Sequence, residues 1–216
     1  MKALVVDSDW DRVTHICRVF RDAKAKIASS PGVQSTFLHQ SAVTSHAFRK
    51  ALSDGSPDFV SAVGHGKFDR FEGYGGTVLW EVGKIQKAEV AGRMIHLLSC
   101  KTAAELGSEI VKLGAKLFAG YREDWWIVPE MGNKKIWKAS DADLLGDRLL
   151  NTFMEIATEV DRLILQQLPV NELSAKIVDM YEEAIDYWET REGENNMVAF
   201  ALARLNWNKQ FFAIYS

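Results

Sequence analysis

The sequence holds only two cysteines, Cys17 and Cys100, in 216 residues. That is too few for the disulfide framework that staples small secreted domains, so a reducing cytoplasm is the expected compartment. There is no excess of charge of one sign. Lys and Arg total 26 against 29 Asp and Glu, a net charge of −3, and the scattered basic residues give no nucleic-acid footprint. No apolar run approaches the roughly 20 residues that span a bilayer, so no membrane partner is expected. The opening MKALVVDSDW is too short an apolar stretch for a signal peptide. Because a strand pattern begins at once, no N-terminal pro-segment is expected either. His15, His39 and His46 lack metal-ligand spacing, and no metal or organic cofactor is implied. Prolines number four, and no repeat, low-complexity run or linker divides the chain.

What is present is one good core: 47% of residues are of hydrophobic type, enough for a single domain over 1–216. Short apolar runs alternate with amphipathic stretches, the pattern of an α/β fold with a mostly parallel sheet flanked by helices. Strands are predicted at 3–6, 35–38, 58–64, 94–99, 116–120 and 211–215, with a hairpin arm over 77–82. A first helix should bury Val13, Ile16, Cys17, Phe20, Ala23 and Ile27. A second, capped by Thr44 or Ser45, turns Phe48 and Leu52 inward and ends at Gly55. Thr102-Ala-Ala-Glu105 fits a capping box for the helix that buries Leu106, Ile110 and Leu113. From about 142 to 192 the pattern becomes a late helical addition of two long helices, broken near Pro169. A shorter helix over 196–205 follows.

The chemistry concentrates at two strand ends. In open α/β sheets, ligands and catalytic groups gather at the carboxyl ends of the strands. There the sequence places His65, in Gly64-His65-Gly66, and Cys100. Strands paired side by side lie about 4.8 Å apart, so the two side chains could serve one site as thiol nucleophile and proton-handling imidazole. A capped helix behind Cys100 would favour the thiolate. The backbone N–H groups of Gly66 and Cys100 are candidates for an oxyanion hole. A core role for the cysteine is the competing reading. His96 lies roughly 13 Å from Cys100 along one strand and is read as structural. Cys17 is read as core, and Ser99 points to the opposite face. Gly73, Gly75 and Gly76 lack the Lys-Ser/Thr that a phosphate loop needs, so they read as a flexible loop beside His65.

The segment from Val63 to Tyr121 resembles the caspase-like cysteine peptidases of clan CD, most of all their CHAT-domain branch. The likeness rests on Val63-Gly64-His65-Gly66 and on Ile95-His96-Leu97-Leu98-Ser99-Cys100-Lys101-Thr102. Between these lie Thr77 to Trp80, Gly83 to Ile85 and Glu89-Val90, where the branch has a hairpin and a short polar helix. Gly114 to Gly120 and Trp207 to Tyr215 are similar to its fifth and closing strands. The resemblance implies a three-layer caspase–haemoglobinase fold and a hydrolase acting through a His65/Cys100 dyad on a protein or peptide substrate. Regulatory protein partners are compatible with it. Lys101, where the branch often has Glu, and a basic, aromatic loop over 67–76 depart from the pattern and bear on substrate preference.

The resemblance makes Asp7 and Asp9, at the end of the first strand, candidates to receive a basic substrate residue, and a cap for the first helix is the competing reading. Asp124, with Tyr121 and Trp125, is a second candidate pocket wall. Two other readings stay open: a catalytically inactive adaptor or scaffold on the same fold, and an unrelated doubly wound small-molecule-binding or signalling domain. For a signalling receiver, Gly64-His65 stands where a phospho-acceptor aspartate is needed.

Overall fold

Four runs rich in Val, Leu, Ile, Phe and Ala are buried along their whole length or nearly so, as central strands covered on both faces must be, and two less buried runs flank them at the edges. In a computed structural model of the protein, which describes residues 1–17, 24–25, 30–127, 141–191 and 196–216, these runs form one sheet. Its strands are β1 (Lys2–Asp7), β2 (Gln34–His39), β3 (Phe59–Val63), β7 (Met94–Leu98), β8 (Leu117–Tyr121) and β9 (Phe212–Tyr215). The order across the sheet is β2-β1-β3-β7-β8-β9. All neighbours are parallel except β9, which runs antiparallel to β8. Three short strands, β4 (His65–Lys67), β5 (Arg70–Glu72) and β6 (Val78–Glu81), make a separate antiparallel sheet.

Side chains alternate across a strand, and here the alternation sorts two apolar layers. On one face Leu4, Val6, Val60, Ala62, Ile95, Leu97 and Phe118 pack against Phe48 and Leu52 of α2 (Ser45–Gly55), Val90 of α3 (Lys87–Val90) and Leu106 and Ile110 of α4 (Leu106–Lys112). On the other, Ala3, Phe59, Val63, Met94, Leu98 and Ala119 meet three long helices: α5 (Asp141–Leu165), α6 (Val170–Glu189) and α7 (Asn196–Phe211). The result is helix, sheet, helix: an α/β fold of three layers built on a mostly parallel sheet.

Most expected elements are present, with informative shifts. Thr44 caps α2, its hydroxyl accepting the Ala47 N–H at 3.1 Å, and the helix ends at Gly55 as expected, with Ser56 in the left-handed region (φ 41°) as its C-cap. The break at Pro169 holds, since α6 begins at Val170. The last helix runs on to Phe211 rather than stopping near 205, so the closing strand begins at Phe212 and excludes Trp207. The first helix, α1 (Arg12–Ile16), buries Cys17 just beyond its end but leaves Val13 53% exposed. Its expected continuation through Phe20, Ala23 and Ile27 lies outside the described residues.

A charged cluster ties the helical layer to the sheet. Asp161 of α5 accepts from Lys24 Nζ at 2.5 Å, from Ser61 Oγ at 2.6 Å and from His96 Nδ1 at 2.6 Å. All four side chains are buried. A buried carboxylate persists only with such partners. Lys24 and His96 hold the Asp161 carboxyl at about 2 against the opposing effect of burial. The expected structural role of His96 agrees with this placement. Among the described residues, no helix is long and apolar enough to cross a membrane.

Candidate functional site

The chain leaves β1 for β2 on one side and returns to β3 on the other, so the sheet's switch point lies between β1 and β3. A crevice is expected at the carboxyl ends of strands at such a point. In β3 and β7, Val63 is opposite Leu98. The same offset carried two residues on matches His65 with Cys100. The Gly64 N–H donates to the Leu98 carbonyl at 3.4 Å, extending the pairing past the strand ends.

Glycines permit this approach. A β-carbon on Gly66 would overlap the Cys100 carbonyl oxygen and stand 2.6 Å from Thr102 Cγ2. On Gly64 it would overlap the Glu72 carbonyl oxygen and stand 2.9 Å from a Phe71 ring carbon. Only residues without a side chain let β4 leave the sheet here while lying against the turn that carries Cys100.

That turn differs from expectation. Helix α4 starts at Leu106, not near Thr102, and no side chain caps it. The Thr102 hydroxyl is engaged instead with Ser99 Oγ at 2.9 Å. The carbonyl of Phe68, in the β4–β5 turn, accepts the Glu105 and Leu106 N–H groups at 3.2 and 2.9 Å. A loop from the small sheet therefore satisfies donors that a capping box was expected to hold. Lys101 adopts a left-handed conformation, φ 61°, which costs a non-glycine residue about 1–2 kcal/mol. Its N–H is fixed by the Glu123 carbonyl at 3.0 Å.

With five residues between Cys100 and the helix, the expected help from the helix dipole, which falls off within the first turn, is lost. Burial pushes the Cys100 thiol up, and the charge of Asp124 adds to this against Lys101. The sulfur lies 4.0 Å from the Trp125 carbonyl oxygen. A thiolate at this position needs a cationic partner, and His65 is the imidazole that the register brings to the same strand ends.

The sequence reading missed Asp11. It is the N-cap of α1: its Oδ1 accepts the Thr14 N–H at 2.9 Å and the Thr14 hydroxyl at 2.8 Å. Its Oδ2 accepts from His65 Nε2 at 2.6 Å. Burial pushes the Asp11 carboxyl up, but the Thr14 and His65 hydrogen bonds outweigh it and leave the group below its ordinary range. The Trp10 ring stands edge-on to the imidazole, with centroids 5.8 Å apart. The signal was Asp-x-x-Thr, a capping spacing that begins two residues beyond the acidic pair taken for the strand end.

The pocket candidates separate. Asp7 is buried, with His39 Nδ1 at 3.8 Å. Asp9 binds His15 Nδ1 at 2.8 Å and Gln40 Nε2 at 3.1 Å. Neither caps α1; Asp11 does. Tyr121, expected in a pocket wall, is wholly buried, and its hydroxyl pairs with that of Tyr181 at 2.8 Å. It is a core residue because it faces the helical layer. Asp124 is part-exposed and pairs with Lys101 Nζ at 3.3 Å, while Trp125 borders Cys100 through its carbonyl. Lys101 also lies over the exposed Phe68 ring, 5.2 Å from its centroid. Cys17 is core, its thiol pushed up to about 12 by burial and then by Asp7. Among the described residues, no group of three His, Cys, Asp or Glu side chains could hold a metal ion.

Comparison of the chain with family models, curated proteins and solved structures returned no match in any of the three.

Proposed function

We propose that the protein is a caspase-like cysteine endopeptidase with Cys100 as nucleophile and His65 as proton carrier. The observation that carries this reading is the β3–β7 register. It sets His65 and Cys100 at adjacent carboxyl strand ends beside a switch point, with Gly66 packed against the Cys100 carbonyl. The sheet order, with its antiparallel closing strand, and the small hairpin sheet between the two residues agree with the caspase–haemoglobinase pattern that the sequence resembles.

In this mechanism His65 takes the Cys100 thiol proton, and the sulfur attacks the scissile carbonyl of a protein or peptide substrate. The oxyanion is held by backbone N–H groups of Gly66 and Cys100. Protonated His65 gives its proton to the leaving amine as the C–N bond breaks, which leaves a thioester on Cys100. His65 then takes a proton from water as the water attacks the thioester, and the thiol leaves. The imidazolium–thiolate pair supplies what burial of Cys100 withholds, because an adjacent cation lowers a thiol's pKa.

The raised Cys100 thiol also favours a second reading, a catalytically silent scaffold with the same fold. One experiment separates the two. A positional-scanning peptide library and a peptidyl acyloxymethyl ketone are applied to the wild type, Cys100→Ala and His65→Ala. The peptidase reading expects covalent labelling at Cys100 and turnover that vanishes in Cys100→Ala. It also expects a loss of about 10²–10⁴-fold in His65→Ala. Wild-type protein that neither labels nor cleaves would leave the scaffold.

A further inference from the structure

We infer that Asp11 is a positioning residue for His65, holding the imidazole in one tautomer and one orientation for reaction at Cys100. This rests on the peptidase reading of the dyad and adds a member that composition and motif did not supply.

The geometry divides the two carboxylate oxygens between two tasks. Oδ1 is occupied by the Thr14 N–H and hydroxyl. Oδ2 faces His65 Nε2 at 2.6 Å. The carboxylate is held from the backbone side as well, since the Trp10 and Asp11 N–H groups both donate to Thr14 Oγ1, at 3.0 and 3.2 Å. Its rotamer is therefore set by the helix start, before any substrate arrives. That is the preorganisation a proton-transfer group requires.

An ionised carboxylate only accepts hydrogen bonds. Asp11, held below its ordinary range, therefore requires the proton on Nε2, and the bond made by one ring nitrogen fixes the state of the other. Nδ1 is left with its lone pair to take the thiol proton. The Trp10 ring, edge-on to the imidazole, restricts the ring's swing. The residues come from different places in the chain: Asp11 lies in the β1–α1 turn, and His65 follows β3, the strand next to β1 in the sheet. The Ser8 hydroxyl donates to the Val63 carbonyl at 2.9 Å and pins that turn over the end of β3.

The test uses the full chain and two readouts that do not need the natural substrate. The first is the His65 tautomer, read from the ¹⁵N shifts of its ring nitrogens. The second is the rate at which iodoacetamide alkylates Cys100 near pH 7, resolved from Cys17 by peptide mass spectrometry. Asp11→Asn keeps a good N-cap and removes the charge, and Asp11→Ser does the same with a smaller group. Both should retain the wild-type circular dichroism. Wild-type His65 should carry its proton on Nε2. Both variants should show mixed tautomers and alkylate Cys100 roughly ten- to a hundred-fold more slowly. An unchanged tautomer and rate in folded Asp11→Asn and Asp11→Ser would overturn the inference. Failure of the underlying dyad looks different: His65→Ala would then alkylate at the wild-type rate, whatever the Asp11 variants do.

Discussion

Gly66 and Cys100 are packed so closely that a single added methyl group at residue 66 would overlap the Cys100 carbonyl oxygen. The second obstruction, Thr102 Cγ2 at 2.6 Å, is held in place by the Ser99 hydroxyl bond. Gly66→Ala is therefore expected to push β4 away from the Cys100 turn. The expected cost is about 1–3 kcal/mol of stability, the range for overpacking, and the loss of most Cys100 reactivity. Urea unfolding and iodoacetamide kinetics on the same preparation check both parts. Wild-type alkylation in a folded Gly66→Ala protein would show that this contact does not shape the site.

The Lys24–Asp161 pair is buried on both sides. Removing one member strands the other charge in the core, so Asp161→Ala should cost about 3–5 kcal/mol. Replacing both with apolar residues removes the stranded charge along with the attraction. Lys24→Met with Asp161→Leu should therefore recover a large part of that loss. A double-mutant cycle measured by chemical denaturation provides the check. The idea fails if the double variant is as unstable as the sum of the single ones.

Acidification should weaken the fold in two stages. His96 is held below 6.5, first by burial and also by Lys24, although Asp161 opposes this. Below about pH 6.5 the unfolded chain binds a proton there that the folded chain does not, so stability falls with pH. Asp161 is ionised in the folded state down to about 2, against an ordinary value of 3.8. Its contribution is present above 3.8 and is lost as pH falls through that window. A His96→Gln variant should show a shallower decline between about pH 6.5 and 5, by at most roughly 1.4 kcal/mol per pH unit. Midpoints of urea unfolding across this range give the comparison, and parallel curves for variant and wild type would refute it.

Tyr121→Phe should leave the Tyr181 hydroxyl without the partner it now has at 2.8 Å. A buried hydroxyl left unsatisfied costs about 1–3 kcal/mol. Because Tyr121 is a core residue, peptide selectivity and Cys100 alkylation should stay at wild-type values. A changed cleavage preference would return Tyr121 to the substrate pocket.

Much of the fold was legible because its signals are local. The apolar runs of β1, β3, β7 and β8, the cap at Thr44 and the break at Pro169 are written within a few neighbouring residues. So were the places of His65 and Cys100, since an apolar strand ending in Gly-His-Gly and another ending in Ser-Cys identify strand ends without any partner. The start of α4 was misread because its first N–H groups are satisfied by the Phe68 carbonyl, a backbone atom with no sequence signature. Tyr121 was misassigned because the residue after a strand core can face either layer.

The sequence by itself determined which segments become strands and helices and where a thiol and an imidazole stand, because side-chain periodicity and capping act over one or two turns. Only the tertiary structure decided what meets across distance. It set β1 beside β3, so that the α1 N-cap reaches His65, and it brought Asp161 to Lys24, Ser61 and His96. Those pairings come from burying two apolar sheet faces at once. That condition depends on the whole chain and selects partners that no local pattern names.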